Sequence, residues 1–151
     1  MPAGSEQAAA PLALPHTWRP FGVRMAGTVL GVGLLVVSAV AWIGFDAETQ
    51  ARFTWFQRGT LVFFGLLAFT LWFALVRSRV VAEESRLVVV NGYRRREFEW
   101  AEVIAVHLPP GAPWVTLDLA DGTTVAAMGI QGSDGDRARR SVRELRTLVN
   151  R

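Results

Sequence analysis

Twenty-one consecutive residues, Met25 to Phe45 (MAGTVLGVGLLVVSAVAWIGF), carry no charged side chain. At a helical rise of ~1.5 Å per residue, such a run reaches across a hydrocarbon core of ~30 Å. A second uncharged run of 18 residues, Gly59 to Val76 (GTLVFFGLLAFTLWFALV), follows a short polar connection. Trp55 and Phe56 can extend it at the interface. A buried core helix is the competing reading of the second run. In a chain of 151 residues the remainder is too small to bury both, so the sequence predicts a two-helix transmembrane hairpin over 21–77. The apolar share of 51% and the mean hydropathy of +0.27 agree with this.

Arginine placement sets the orientation. Arg19 and Arg24 precede the first run, Arg77 and Arg79 follow the second, and the connection carries Asp46, Glu48, Arg52 and Arg58. The balance favours both termini in the cytoplasm of a multi-pass protein of the plasma membrane. Trp42 and Trp55 suit an interfacial belt. Ser38 to Ala41 reads SAVA, the small-x-small pattern of a signal-peptide cleavage site. The leader before it is long, however, and the apolar run continues through WIGF, so an uncleaved span is expected. Residues 1–20 are rich in alanine and proline and are expected to form a disordered tail.

After Arg77 the pattern changes. RVVAEE and RLVVVN are valine-rich and separated by a polar turn at Glu84-Ser85. Asn91-Gly92 predicts a hairpin with a type I′ turn, which needs positive φ at both central residues. RREFEW alternates, with Phe98 and Trp100 on one face and Glu97 and Glu99 on the other. EVIAVHL is a further strand, stopped by Pro109-Pro110-Gly111. WVTLDLADGTTVAAMGI is a second hairpin that turns at Asp121-Gly122. In the last segment Ala138, Val142, Leu145 and Val149, with Leu148 beside them, make one apolar helical stripe. Ser133 or Asp134 is placed to cap that helix. The expected architecture over 78–151 is a meander of about six strands closed by an amphipathic helix.

Two spans, then RSRVVAEESRLVVVNGYRRREFEWAEVIAV, PWVTLDLADGTTVAAMGIQ and an arginine-rich terminal helix resemble a bacterial pleckstrin-homology-like membrane family. It is the actinobacterial group that includes a low-molecular-weight protein antigen of mycobacteria. The resemblance covers roughly residues 20 to 150, and FEWAEV, DLADGTT and AMGIQ are its most specific parts. It implies an α+β chain: two transmembrane helices, then a PH-like β-barrel or split sandwich capped by the C-terminal helix. It implies no particular reaction, because fold and membrane attachment define the family.

The triplet Arg94-Arg95-Arg96 raises the question of a binding site. If the second span ends near Arg77, a strand leaving at ~3.3 Å per residue carries Glu83 and Glu84 ~20 Å from the surface. The next strand then returns the hairpin tip toward the lipid. Arg77, Arg79, Tyr93, Arg94, Arg95 and Arg96 would form a basic collar against anionic headgroups, each arginine contributing ~1 kcal/mol near the surface. A solvated hairpin end with cross-strand pairing is the alternative. In phosphoinositide-binding PH domains basic residues crowd the first hairpin loop. Here that loop reads AEESR, so that headgroup pocket is not expected.

The computed pI of 10.9 overstates the basic character. All 16 basic residues are arginine and little else titrates near that pH, so a net charge of +3 raises the pI sharply. From Ser78 onward 11 arginines face 10 acidic residues, which argues against nucleic acid as a partner. The terminal-helix arginines Arg137, Arg139, Arg140, Arg143 and Arg146 read mainly as a solvated face. Cysteine is absent, and of the two histidines His16 lies in the tail while His107 ends a strand with no second histidine beside it, so neither a thiolate nor a histidine-pair metal site is expected. No glycine-rich phosphate loop or nucleophile–base pair stands out, and neither enzymatic activity nor a cofactor is expected. The leading expectation is a non-enzymatic interaction or scaffold module at the cytoplasmic membrane face, with the bilayer and an unnamed protein as partners. The alternative is a ligand- or lipid-binding module with a pocket in or at the end of the barrel. Trp100, Trp114 and Met128 are then the residues to examine.

Overall fold

The computed structural model of the protein describes residues 12–151. Two helices dominate its first half, α1 (Gly22–Gly44) and α3 (Trp55–Arg77), joined by a short helix α2 (Ala47–Arg52). Asp46 accepts the Thr49 N–H at the start of α2. That bond, then the Thr49 hydroxyl, holds the Asp46 carboxyl below the usual carboxylate range. Thr54 and Gln57 cap α3 reciprocally. Both long helices are 23 residues and apolar enough to cross a membrane, and neither buries any residue against the rest of the protein. Gly27 lies against the Trp72 indole at one end of the pair, and Arg58 stacks over Trp42 at the other, so the helices run antiparallel.

Among the described residues, seven strands form the two sheets of a sandwich. A four-stranded sheet has the order β1 (His16–Trp18), β2 (Arg79–Ala82), β3 (Arg86–Asn91), β4 (Arg94–Glu99), and a three-stranded sheet the order β5 (Val103–His107), β6 (Trp114–Leu119), β7 (Thr124–Gln131). All neighbours are antiparallel. Helix α4 (Asp136–Val149) closes the sandwich, burying Ala138, Val142, Leu145 and Leu148 among Val80, Leu87, Phe98, Val115 and Leu117. Leu148 rather than Val149 completes the stripe, and Val149 packs at its margin.

Several expectations need correction. The disordered tail does not extend over 12–20, because β1 pairs with β2 there and Trp18 is buried in the core. Residues 1–11 of that expectation lie outside the described residues. The tip of the β3–β4 hairpin is Gly92-Tyr93, since Asn91 pairs with Arg94. Only Gly92 has positive φ (59°), the pattern of a II′ rather than a I′ turn. The Asn91 side chain instead donates to Ala126 O and accepts from Met128 N–H, stapling β3 to β7. Trp100 ends β4 by starting a 3-10 turn, so it leaves the strand that Phe98 occupies. Asp134 caps α1 rather than α4: it accepts the Phe21 and Gly22 N–H groups at 2.8 and 2.7 Å.

The two sheets meet where β7 bends. The β6–β7 register jumps from Val115↔Ala127 to Trp114↔Gln131, which places Met128 to Ile130 in a bulge. Gly129 sits there with its Cα side against the β2 backbone. A Cβ at that position would lie 2.5 Å from Arg79 C and Val80 N.

Candidate functional site at the junction of helices and sandwich

The sandwich is joined to the helices without a linker. Pro20 leads straight into α1, and Ser78 alone separates α3 from β2. Ser78 is buried; its hydroxyl donates to Ala74 O and accepts the Gly92 N–H. The β3–β4 tip therefore lies along the last turns of α3, with Gly92 against Ala74. Tyr93 reaches further down the helix, where its hydroxyl donates to Thr70 O at 2.9 Å and its ring lies beside Phe73. A second clasp is the Asp134 cap on α1.

Strand alternation divides the arginine triplet. Arg94 and Arg96 share the Phe98 side of β4 and line a cleft of about 640 Å³. Its walls are Leu71, Ala74 and Leu75 of α3, Val89 of β3, and Val125 and Met128 of β7. Arg95 faces the other way and bonds Glu97 at 2.6 Å, and Glu97 also binds Arg86 at 2.7 Å. Glu83 and then Glu97 hold the Arg86 guanidinium charged beyond its ordinary range. This chain of pairs is solvent-exposed and contributes little to stability. Arg77 ends α3 and is exposed; Arg79 starts β2 and is half-buried. The cleft thus gathers Arg94 and Arg96, and Tyr93 lies along α3, while Arg79, in register with Val90 and Arg95, shares the outer sheet face with Arg95.

The three residues named for a barrel pocket are not brought together. Met128 lines the arginine cleft. Trp100 donates to Glu83 O and borders a separate hollow of about 360 Å³ with Leu14 and Val149. Trp114 is half-buried at the start of β6 and borders neither. His107 pairs with Asp118 across β5–β6 at 2.8 Å. Among the described residues, no three His, Cys, Asp or Glu side chains gather as metal ligands.

Sequence reasoning missed a second basic cleft. Arg19 and Arg24, on either side of the entry to α1, meet Arg137 and Arg140 of α4 around a hollow of about 410 Å³. The partners lie more than a hundred positions apart, so no local pattern could reveal them. A tryptophan, Trp18, in an otherwise alanine- and proline-rich segment was the available signal that this segment is part of the fold.

The profile of the bacterial PH domain family matches residues 77–148, which spans β2 to β7 and nearly all of α4 but not β1. Relatives in Mycobacterium bovis and in two strains of Mycobacterium tuberculosis, each described as an uncharacterized protein, are 30% identical over 140 residues. The alignment covers 91% of this chain and 86% of each relative, so the likeness includes the helical hairpin as well as the sandwich. No solved structure matches at a comparable level. With two antiparallel sheets closed by a C-terminal helix, two long apolar helices and these mycobacterial relatives, the chain belongs to the bacterial PH domain family.

Proposed function

We propose that the protein is a non-enzymatic interaction module held on the cytoplasmic face of the plasma membrane, with α1 and α3 as its anchor (21–77) and the PH-like unit (78–151, completed by β1) as its working part. The observation that carries this reading is the linker-free clasp between sandwich and helices. A flexible tether would only raise local concentration. The Ser78, Tyr93 and Asp134 contacts also fix which side of the sandwich faces lipid. Arg77, Arg79, Arg94 and Arg96 then lie at headgroup level. The outer edge of β4, the last strand of its sheet, points away from the core and is open to a partner.

The chain has no cysteine, so single cysteines report cleanly on sidedness. In intact cells an impermeant maleimide is expected to label Glu48→Cys in the connection between the helices. It should spare Ser85→Cys at the β2–β3 turn until the membrane is opened. The reverse labelling would overturn the cytoplasmic assignment. In the same cells a photo-crosslinking residue at position 95 should give discrete protein adducts, and a lack of adducts there and at position 85 would remove the interaction reading.

A second reading is favoured by the Arg94–Arg96 cleft. The side chains of Ser78, Asn91 and Thr124 are hydrogen-bonded internally, which leaves the two guanidinium groups as the cleft's free polar side chains above apolar walls. That chemistry suits a small aliphatic acid. Saturation-transfer NMR on the full chain in peptidiscs should show transfer to octanoate that Arg94→Gln with Arg96→Gln abolishes. Equal transfer in the double variant would end this reading.

A further inference from the structure

The cleft between the entry of α1 and the first turns of α4 is separate from the arginine cleft beside α3. Four arginines line it, Arg19, Arg24, Arg137 and Arg140, against two carboxylates, Asp134 and Glu144. Both carboxylates are already engaged. Asp134 accepts the backbone N–H groups of Phe21 and Gly22, and Glu144 accepts the Trp18 indole N–H at 2.9 Å. Among the described residues none of the four arginines takes part in an ion pair. Four guanidinium groups against two carboxylates leave the cleft with a net positive charge, which attracts an anion.

Depth is set by α1 itself. Arg24 lies in its first turn and is the only charged residue in the helix, so this cleft stands at the boundary between lipid and water. Its lip is apolar at Phe21, and Met25 lies one helical turn further along α1; the two are 50% and 53% exposed. Arg137 stacks over the Phe21 ring at 4.3 Å, which places a cation directly above that apolar lip. An apolar lip toward the bilayer and a ring of cations above it match the polarity of a phospholipid.

We propose that this cleft holds the headgroup of one anionic phospholipid from the leaflet that α1 enters, with the phosphate among the four arginines and the acyl chains beside Phe21 and Met25. The inference rests on the membrane seating proposed above. Cysteine labelling tests that seating independently, so a correctly seated protein that retains no anionic lipid would sink this inference alone.

The test uses the full chain in mild detergent, incubated with equal amounts of palmitoyl-oleoyl phosphatidylglycerol and the corresponding phosphatidylcholine, with bound lipid counted by native mass spectrometry. The unmodified chain should retain phosphatidylglycerol in preference. Arg137→Gln with Arg140→Gln should lower that retention by ~10-fold or more, given ~1 kcal/mol per arginine near anionic lipid. Arg19→Gln with Arg24→Gln, on the other wall, should do the same. Arg139→Gln with Arg143→Gln removes equal charge from α4 outside the cleft and should leave retention unchanged. Equal retention of the two lipids, or the same loss in all three variants, would overturn the proposal.

Discussion

Trp18→Ala is expected to lower the unfolding free energy of the full chain by about 3–5 kcal/mol, the range for truncating a large buried aromatic. Trp18 is 5% exposed and packs within the same core as Val80 and Leu145, although it precedes both long helices. Its loss would leave a cavity under β1 and remove the donor that Glu144 accepts. Trp18→Phe keeps most of the packing and loses that hydrogen bond to a carboxylate, for a cost of about 1.5–3 kcal/mol. Pulse proteolysis of the detergent-solubilised chain in urea reads both values. A Trp18→Ala chain within 1 kcal/mol of the unmodified one would mean that β1 is dispensable. The same argument predicts that a fragment cut at residue 78 is a poor stand-in for the sandwich, because it lacks the strand that pairs with β2.

Gly129→Ala is expected to destabilise by about 3 kcal/mol, the upper part of the range for overpacking. The added methyl meets the backbone of Arg79 and Val80 at 2.5 Å, and backbone cannot rotate away as a side chain could. The β7 bulge or the β2 strand must shift, and either movement loosens the corner where the sheets join. Hydrogen exchange should show the loss at Val80 and its neighbours first. Gly65→Ala is the matched control, since nothing lies within 4 Å of its Cβ position, and inside α3 it should leave stability unchanged or raise it by up to about 1 kcal/mol. Similar exchange and stability for both variants would show that the corner can widen freely.

Patterns that depend on neighbours in the chain were legible in the sequence. The charge-free runs became α1 and α3, valine alternation became β2 and β3, Asp121-Gly122 became a hairpin turn, and the apolar stripe became the buried face of α4. At that turn the Thr123 hydroxyl and N–H hold the Asp121 carboxyl below its usual range. What stayed hidden depends on contacts across the fold. β1 is three residues between two prolines, and its pairing needs β2, sixty positions later. Asn91 reads as a turn residue by local propensity, yet the unpaired β7 backbone at the bulge claims its side chain. Asp134 suits an N-cap, but the exposed N–H groups it caps belong to α1. Alternation alone could have separated Arg95 from Arg94 and Arg96, since successive strand residues face opposite sides.

The pairing of β1 with β2 also imposes an order on synthesis. Trp18 leaves the ribosome well before Arg79, and at about 5–20 residues per second the gap lasts roughly 3–12 s. Through that interval the first strand has no partner. If only one helix crossed the bilayer, the two strands would end on opposite sides and could never meet. On the proposed membrane seating, the strands share a side only when the two helices cross together or not at all, so a folded PH-like unit is incompatible with a half-inserted hairpin.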